Sequence, residues 1–158
     1  MATEINTQTK QVKKHLGELL TAQKLAVLAT QRAEHPYASL VAFAADPDLR
    51  RIYFATPRST RKFENLSANP HVALLVSSST NDPSDFHRAV AVTAQGRVEG
   101  IPESLREEKQ KRYLYKHPYL ADFVKSPTCA FLCVHVHAYY LVKNFQHVME
   151  YHFEEDMA

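Results

Sequence analysis

Apolar residues recur along this chain with two different periods, and the places where the period changes mark out its elements. Val12, Leu16, Leu19 and Leu20 stand at helical spacing. They predict a leading amphipathic helix over residues 8–22 with Thr7 or Thr9 as its cap, and Gly17 is a minor cost inside it. The run LAVLAT (25–30) has strand length, the polar stretch Gln31 to Pro36 reads as a turn, and YASLVAFAA (37–45) reads as the returning strand of an antiparallel hairpin. Asp46, Pro47 and Asp48 make the next turn. Ile52 to Thr56 is apolar and aromatic, as a buried strand should be, and Pro57 ends it. A short helix follows, with Phe63 and Leu66 on its buried face and Asn69-Pro70 as its stop, because the residue before a proline is pushed out of the helical region. His71 to Val76 resumes as a strand.

The second half reads in the same way. Ser77 to Arg88 is polar, carries Asp82, Pro83 and Asp85, and has no periodicity, which predicts a long mobile hairpin loop. Ala89 to Val98 is a strand in which Gly96 marks either a bulge or a close backbone approach. Pro102 to Lys116 is a helix ended by Pro118, and Tyr119 to Val124 adds one more helical turn. In the long strand Cys129 to Leu141 a period of two sets Ala130, Leu132, Val134 and Val136 on one face and Cys129, Phe131, Cys133, His135 and His137 on the other. Of the adjacent Tyr139 and Tyr140, one is then a core residue. After a connection at Asn144 to Gln146, His147 to Phe153 forms a last strand, and the acidic tail 154–158 is expected to fray. Six or seven strands, joined mostly as hairpins, against three or four helices describe an α+β fold built on an antiparallel barrel, one domain over residues 1–158.

Composition narrows the function. The 3 glycines leave no glycine-rich nucleotide loop, and a formal charge of +2 is too small for general nucleic-acid binding. The densest basic run, Lys109 to Lys116, follows Glu103, Glu107 and Glu108 in the order that complements a helix dipole. No apolar run approaches a membrane span and the N-terminus lacks a signal-peptide core, so the cytoplasm is the expected compartment. Cys129 and Cys133, four apart on a strand, are roughly 13 Å apart and cannot bridge. Their apolar surroundings predict inert thiols, and no nucleophilic triad is visible.

The unusual stretch is the turn Arg58-Ser59-Thr60-Arg61-Lys62. A helix N-terminus is electropositive and prefers acidic residues, yet three cations crowd this one. Free N–H groups, two hydroxyls, Arg and Lys together make a site for a phosphate-sized anion. A solvated turn whose Ser59 or Thr60 merely caps the helix is the alternative, and both readings stand on these residues alone.

From about residue 24 to residue 100 the order of segments resembles a known family. LAVLAT, a turn ending in Pro36, SLVAFA, IYFAT, TRKFENL, SANPHVALLV and AVTAQGRVEG are similar to the flavin-binding split barrels typified by pyridoxamine 5'-phosphate oxidase and its shorter relatives. Thr60-Arg61-Lys62, followed by an apolar helix and Asn69-Pro70, is the most specific part. The resemblance implies an antiparallel six- or seven-stranded split β-barrel with flanking helices, and FMN as cofactor. Its phosphate would be held by Arg61 and Lys62 with Thr60. Its ring would lie against the strand Ala38, Ser39, Leu40 and Val41 and the strand end Phe54, Ala55 and Thr56, with Gln95 reaching toward a partner's flavin. It further implies a homodimer with flavin at the interface, Lys143 and Asn144 lying where relatives bring the second chain close. The chain departs from pyridoxamine phosphate oxidases in lacking basic residues on the second strand, any Trp, and any Arg in the ending HVMEYHFEEDMA, which argues against oxidation of a vitamin B6 phosphate.

Three functions follow. The first is an FMN-dependent oxidoreductase acting on a small molecule, with an electron donor such as NAD(P)H and without an obligatory protein acid or base. The second is a flavin- or haem-binding protein without turnover, used for storage, sensing or haem utilisation, with His135, His137 or a C-terminal His as the candidate iron ligand. The third is a metal-dependent or purely structural dimer. Cys133, His135 and His137 share a strand face in this reading, but a zinc site needs a second ligand pair, which His147 and His152 supply only if the last two strands pair in register.

Overall fold

The computed structural model describes residues 1–154, so most of the acidic tail lies outside the described residues. Helix α1 (Ala2–Ala22) buries Val12, Leu16, Leu19 and Leu20, as their spacing requires. It starts well before residue 8: Thr7 and Thr9 lie inside it, and Met1 stands at the cap position without a side-chain cap bond. Glu4 in the first turn complements the helix dipole, and no Gly or Pro interrupts the stretch before it.

Strands β1 (Leu25–Arg32) and β2 (His35–Ala45) form a hairpin whose register runs to Arg32 opposite His35. The turn is therefore two residues, Ala33 and Glu34, with φ of 46° and 67°, rather than the six expected from Gln31 to Pro36. Both angles are those of a type I′ turn, whose twist suits a hairpin. Pro36 sits within the strand opposite Gln31. It is tolerated because, among the described residues, this half of β2 has β1 as its only strand partner.

Strand β3 (Arg51–Pro57), helix α2 (Arg61–Ala68), β4 (His71–Ser77), the short helix α3 (Asp85–Arg88), β5 (Val90–Glu99), α4 (Glu103–Lys116), a 3-10 turn (Pro118–Leu120), α5 (Ala121–Lys125), β6 (Cys129–Lys143) and β7 (His147–His152) complete the described chain. The sheet order is β3-β2-β1-β4-β5-β6-β7, and β3 also pairs β6. Strands β1 to β6 thus close an antiparallel barrel, with β7 added beyond β6. The closure is uneven. β3 pairs β6 from Arg51 to Pro57, but it pairs β2 only through Ile52, Tyr53 and Phe54 against Ala45, Ala44 and Phe43. Past Phe43 and Phe54 the two strands part, and the barrel is split there.

The expected alternation of β6 holds as far as Val136 and then changes. Gln95 pairs Ala138 while Gly96 pairs Val136, so His137 is a bulged residue. Beyond it the inward positions become Tyr139 and Leu141, both fully buried. Gly96 is both the bulge marker and the close approach, since a Cβ there would collide with the His135 carbonyl oxygen. Both faces of β6 are covered. Val134, Val136, Tyr139 and Leu141 join the barrel core, and Cys129, Phe131 and Cys133 join a second cluster with Tyr53, Tyr113 and Val124.

Helix α4 is tied over that second cluster by polar contacts. Asp46 is a buried carboxylate receiving Tyr53 Oη at 2.8 Å and Lys109 Nζ at 3.2 Å, with Arg112 Nε at 3.5 Å. His117 donates from Nε2 to the Phe43 carbonyl at 2.7 Å. The stretch 77–88 is no loose loop: besides α3, Asp85 accepts from Thr80 N at 3.1 Å and Asp82 N at 3.2 Å, and Asp82 accepts from Ser84 N at 2.8 Å.

Candidate functional site at the split of the barrel

The basic turn lies at the end of β3, beside the split. Arg58 N donates to Thr128 O at 2.9 Å, which anchors the turn to the chain entering β6. Thr60 is the N-cap of α2: its Oγ1 accepts from Phe63 N at 3.3 Å and donates to Pro57 O at 2.9 Å. Thr56 Oγ1 lies 2.9 Å from Thr60 Oγ1. Thr60 therefore does what a cap residue does, and its hydroxyl hydrogen serves the turn. The helix itself is seated by Leu66 and by Asn65, whose Nδ2 donates to Thr30 Oγ1 at 3.0 Å. Asn65, placed among polar residues, carried no burial signal in the sequence; its role arises from β1 alongside.

The cations stay available. Glu64, the one acid in the first turn, is drawn to Arg32 at 3.6 Å. Arg61 and Lys62 make no ion pair among the described residues. The Arg61 guanidinium lies 5.7 Å from the centre of the Tyr37 ring, which places it against the free half of β2. Arg58 lies 5.6 Å from the centre of the Phe63 ring. Arg61 and Lys62 also carry N–H groups of the first helical turn, which lack intrahelical acceptors.

Across the split, Ser39 follows Tyr37 on the same face of β2. Its Oγ is buried and has no hydrogen-bond partner among the described residues. An orphaned buried hydroxyl is costly unless something else satisfies it. The opposite lip is Thr56 at the end of β3, fully buried. The side chains of Val41, Phe54 and Ala55 are buried, so these positions can present only backbone to a ligand. Ala38 and Leu40 turn to the outer face. Gln95 stands apart, on β5, in a cleft of about 390 Å³ with Ala73, Gly96, His71 and His137 that no other residue assigned to the flavin lines.

The donor set fits FMN. Two unpaired cations, first-turn N–H groups and an unsatisfied serine hydroxyl suit a phosphate dianion, and the small residues Ala38, Ser39 and Ala55 permit close approach of backbone to a flat ring. The His135 and His137 rings stay side by side, centroids 5.7 Å apart, while Cys133 is drawn away into the second cluster. His135 Nδ1 lies 3.6 Å from Glu99 Oε1, Cys133 is buried under α4, and His137 bulges outward. Among the described residues no group of three or more His, Cys, Asp or Glu is arranged to hold a metal ion. β6 and β7 do pair in register, with His152 opposite Ala138 and His147 opposite Lys143. Burial raises both thiols, Cys133 to about 12, in keeping with inert cysteines.

A family model for pyridoxamine 5'-phosphate oxidase matches residues 12–143, and the chain belongs to that family of split barrels. No curated protein matches it in sequence. Solved structures share its fold at low identity. The heme binding protein of Mycobacterium smegmatis superposes with a TM-score of 0.77 at 13% identity, over 89% of this chain and 57% of that one. Campylobacter jejuni ChuZ gives 0.76 at 13% identity, over 90% and 60%. A FAD-binding protein of Mesorhizobium loti gives 0.65 at 18% identity, over 81% and 90%. The chain thus spans less than two thirds of the first two. No helix among the described residues is long and apolar enough to cross a membrane.

Proposed function

We propose that this chain is an FMN-binding flavoprotein, an oxidoreductase that passes electrons between a small-molecule substrate and a donor such as NAD(P)H. The observation that carries this reading is the basic opening of α2, with no ion pair to Arg61 or Lys62 among the described residues and the Arg61 guanidinium set against Tyr37 of β2, two residues before the orphaned Ser39 hydroxyl. FMN, when bound, supplies hydride or single-electron transfer. The chain's own residues supply the rest. Arg61 and Lys62 neutralise the phosphate, and the first-turn N–H groups and Ser39 Oγ fix its position. Thr60 acts by setting the turn. The backbone of Ala38 to Val41 and of Phe54 to Thr56 faces the ring. Orientation and access are the protein's contribution in this reading, which calls for no obligatory acid or base.

The active form in this reading is a homodimer. Leu40, Val27 and Leu75 are neighbours in register across β2, β1 and β4. Leu25, Leu40 and Leu75 are 55%, 65% and 43% exposed, an apolar outer face beside the split that a second copy would cover. Gln95 then projects from the same outer face toward the partner. The setting is the cytoplasm.

The test is FMN retention. Purified protein should be yellow and release FMN on denaturation, and replacing Arg61 and Lys62 together with Ala should weaken FMN binding at least about 100-fold, since each charge-assisted contact carries roughly 1.5–3 kcal/mol. Both side chains are outside the core, so the thermal melt should stay put; unchanged affinity sinks the phosphate assignment. Stopped-flow reduction by NADH or NADPH distinguishes an enzyme from a carrier. A second reading is favoured by His137 and His71 beside the 390 Å³ cleft and by the heme-binding relative: a flavin- or haem-binding protein without turnover. A Soret band on adding haemin, lost in His137→Ala, would support it.

A further inference from the structure

A second cavity, of about 620 Å³, opens on the outer face of β4, β5 and β6, and none of the residues assigned to the flavin lines it. Its volume is in the range that holds a small molecule. The floor is Ser77, Ala91 and Val142, which are successive cross-strand partners and leave no bulk above the sheet. One wall is aromatic. Phe86 of α3 and Phe145 of the turn before β7 meet with ring centroids 5.3 Å apart at 59°, yet remain 58% and 70% exposed. Phe145 is held there at a φ of 63°, a conformation bulky residues enter only under constraint.

The other wall is polar and of one charge. Asn81, Asp82 and Asp85 line it, and among the described residues no Lys, Arg or His does. The loop that carries them is built. Asp85 takes the Thr80 hydroxyl at 3.3 Å as well as the Thr80 and Asp82 N–H groups, Ser77 Oγ accepts from Ser79 N at 3.1 Å, and Ser78 Oγ accepts from Val90 N at 2.9 Å. Asp82 is held by Ser84 alone, so its carboxylate keeps acceptor capacity toward the cavity. Hydrogen bonds from Ser84 and Thr80 keep both carboxyls below the usual carboxylate range, and both are ionised at neutral pH.

Exposed phenylalanine faces attract flat rings and cations, and a fixed carboxylate opposite them selects for positive charge. We propose that this cavity is a binding site for a planar aromatic cation, its ring on Phe145 and Phe86 and its charge toward Asp82. The basic split and this acidic cavity then select opposite ligands on one barrel, and neither depends on the other.

Proflavine, a flat acridine cation, is a suitable probe, followed by fluorescence anisotropy with the full-length protein. It should bind saturably at one site per chain. Phe145→Ala and Asp82→Asn should each weaken it about ten-fold, the latter because Asn keeps the acceptor for Ser84 N and removes only the charge. Anionic anilinonaphthalene sulfonate should fail to displace it, and the Arg61→Ala, Lys62→Ala double variant should bind it as the parent does. Loss of FMN in that variant with proflavine retained separates the two sites. Unaltered proflavine affinity in Phe145→Ala and Asp82→Asn, or equal affinity for the anion, overturns the proposal. So does absence of proflavine binding together with a shift from dimer to monomer in Phe145→Ala, which would assign the cavity to a second copy of the chain.

Discussion

Ser39 and His117 each leave a buried polar atom without a partner, and the two have different consequences. Ser39 is on the lip of the split, where a ligand can complete it. Ser39→Ala should leave the apo protein as stable or raise stability by about 1 kcal/mol, because an orphaned hydroxyl is removed, while FMN affinity falls about ten-fold. Thermal melts with and without FMN measure both, and a destabilised apo protein would show that Ser39 bonds within the fold. His117 lies away from solvent beneath the end of α4, with Nε2 committed to Phe43 O and Nδ1 bare. Burial, with Lys116 and Lys24 nearby, pushes its imidazolium below the usual histidine range, although the Phe43 bond opposes this. The unfolded chain takes up that proton near pH 6.5 and the folded chain resists it, so the contribution is complete above pH 6.5 and is lost as pH falls. Between pH 7.5 and 5.5 urea midpoints should fall, the unfolding free energy dropping by at most about 1.4 kcal/mol per pH unit. His117→Gln, which does not titrate, should flatten that slope; an identical slope in the variant would assign it elsewhere.

Among the elements, α2 and the strands beside it were legible because their signals are local. Thr60 as cap, Leu66 on the buried face and Asn69-Pro70 as the stop all belong to one short segment. β6 was legible only in part. A period of two is a sound guide until a bulge inserts a residue, and what places the bulge at His137 is Gly96 on the neighbouring strand. Gly96→Ala would press a methyl group onto the His135 carbonyl and the Val134 side chain. It should cost about 1–3 kcal/mol, read as a drop in urea midpoint, with the damage centred on the β5–β6 ladder in amide exchange. A variant as stable as the parent would mean that the bulge relaxes freely. The 77–88 segment misled for a related reason: a stretch without periodicity reads as mobile, yet Asp85 and Asp82 organise it through side-chain bonds to backbone N–H groups, which periodicity does not report.

For the whole molecule, the exposed ridge of Leu25, Leu40 and Leu75 is the feature least at ease in a lone chain. Leu40→Glu with Leu75→Glu should convert the proposed homodimer to a folded monomer in light scattering after size exclusion, since both side chains are outside the barrel core and two buried carboxylates would have no partner in the interface. FMN retention should fall with it if the partner completes the site. A dimer that survives the double change would place the interface on another face.

The amino-acid sequence by itself determined the order of the strands and of the longer helices, the basic turn opening α2, the inert cysteines and the resemblance to the split-barrel family. All are written in short windows where spacing, caps and breakers act on neighbouring residues. Only the tertiary structure decided that the Ser39 hydroxyl is buried and unsatisfied, that Asp46 is a buried anchor for Lys109 from 63 residues away, and that His117 is fixed to Phe43 from 74 residues away. Those facts depend on which strands pair, where their pairing stops and what is thereby shut off from water, and no local window contains that information.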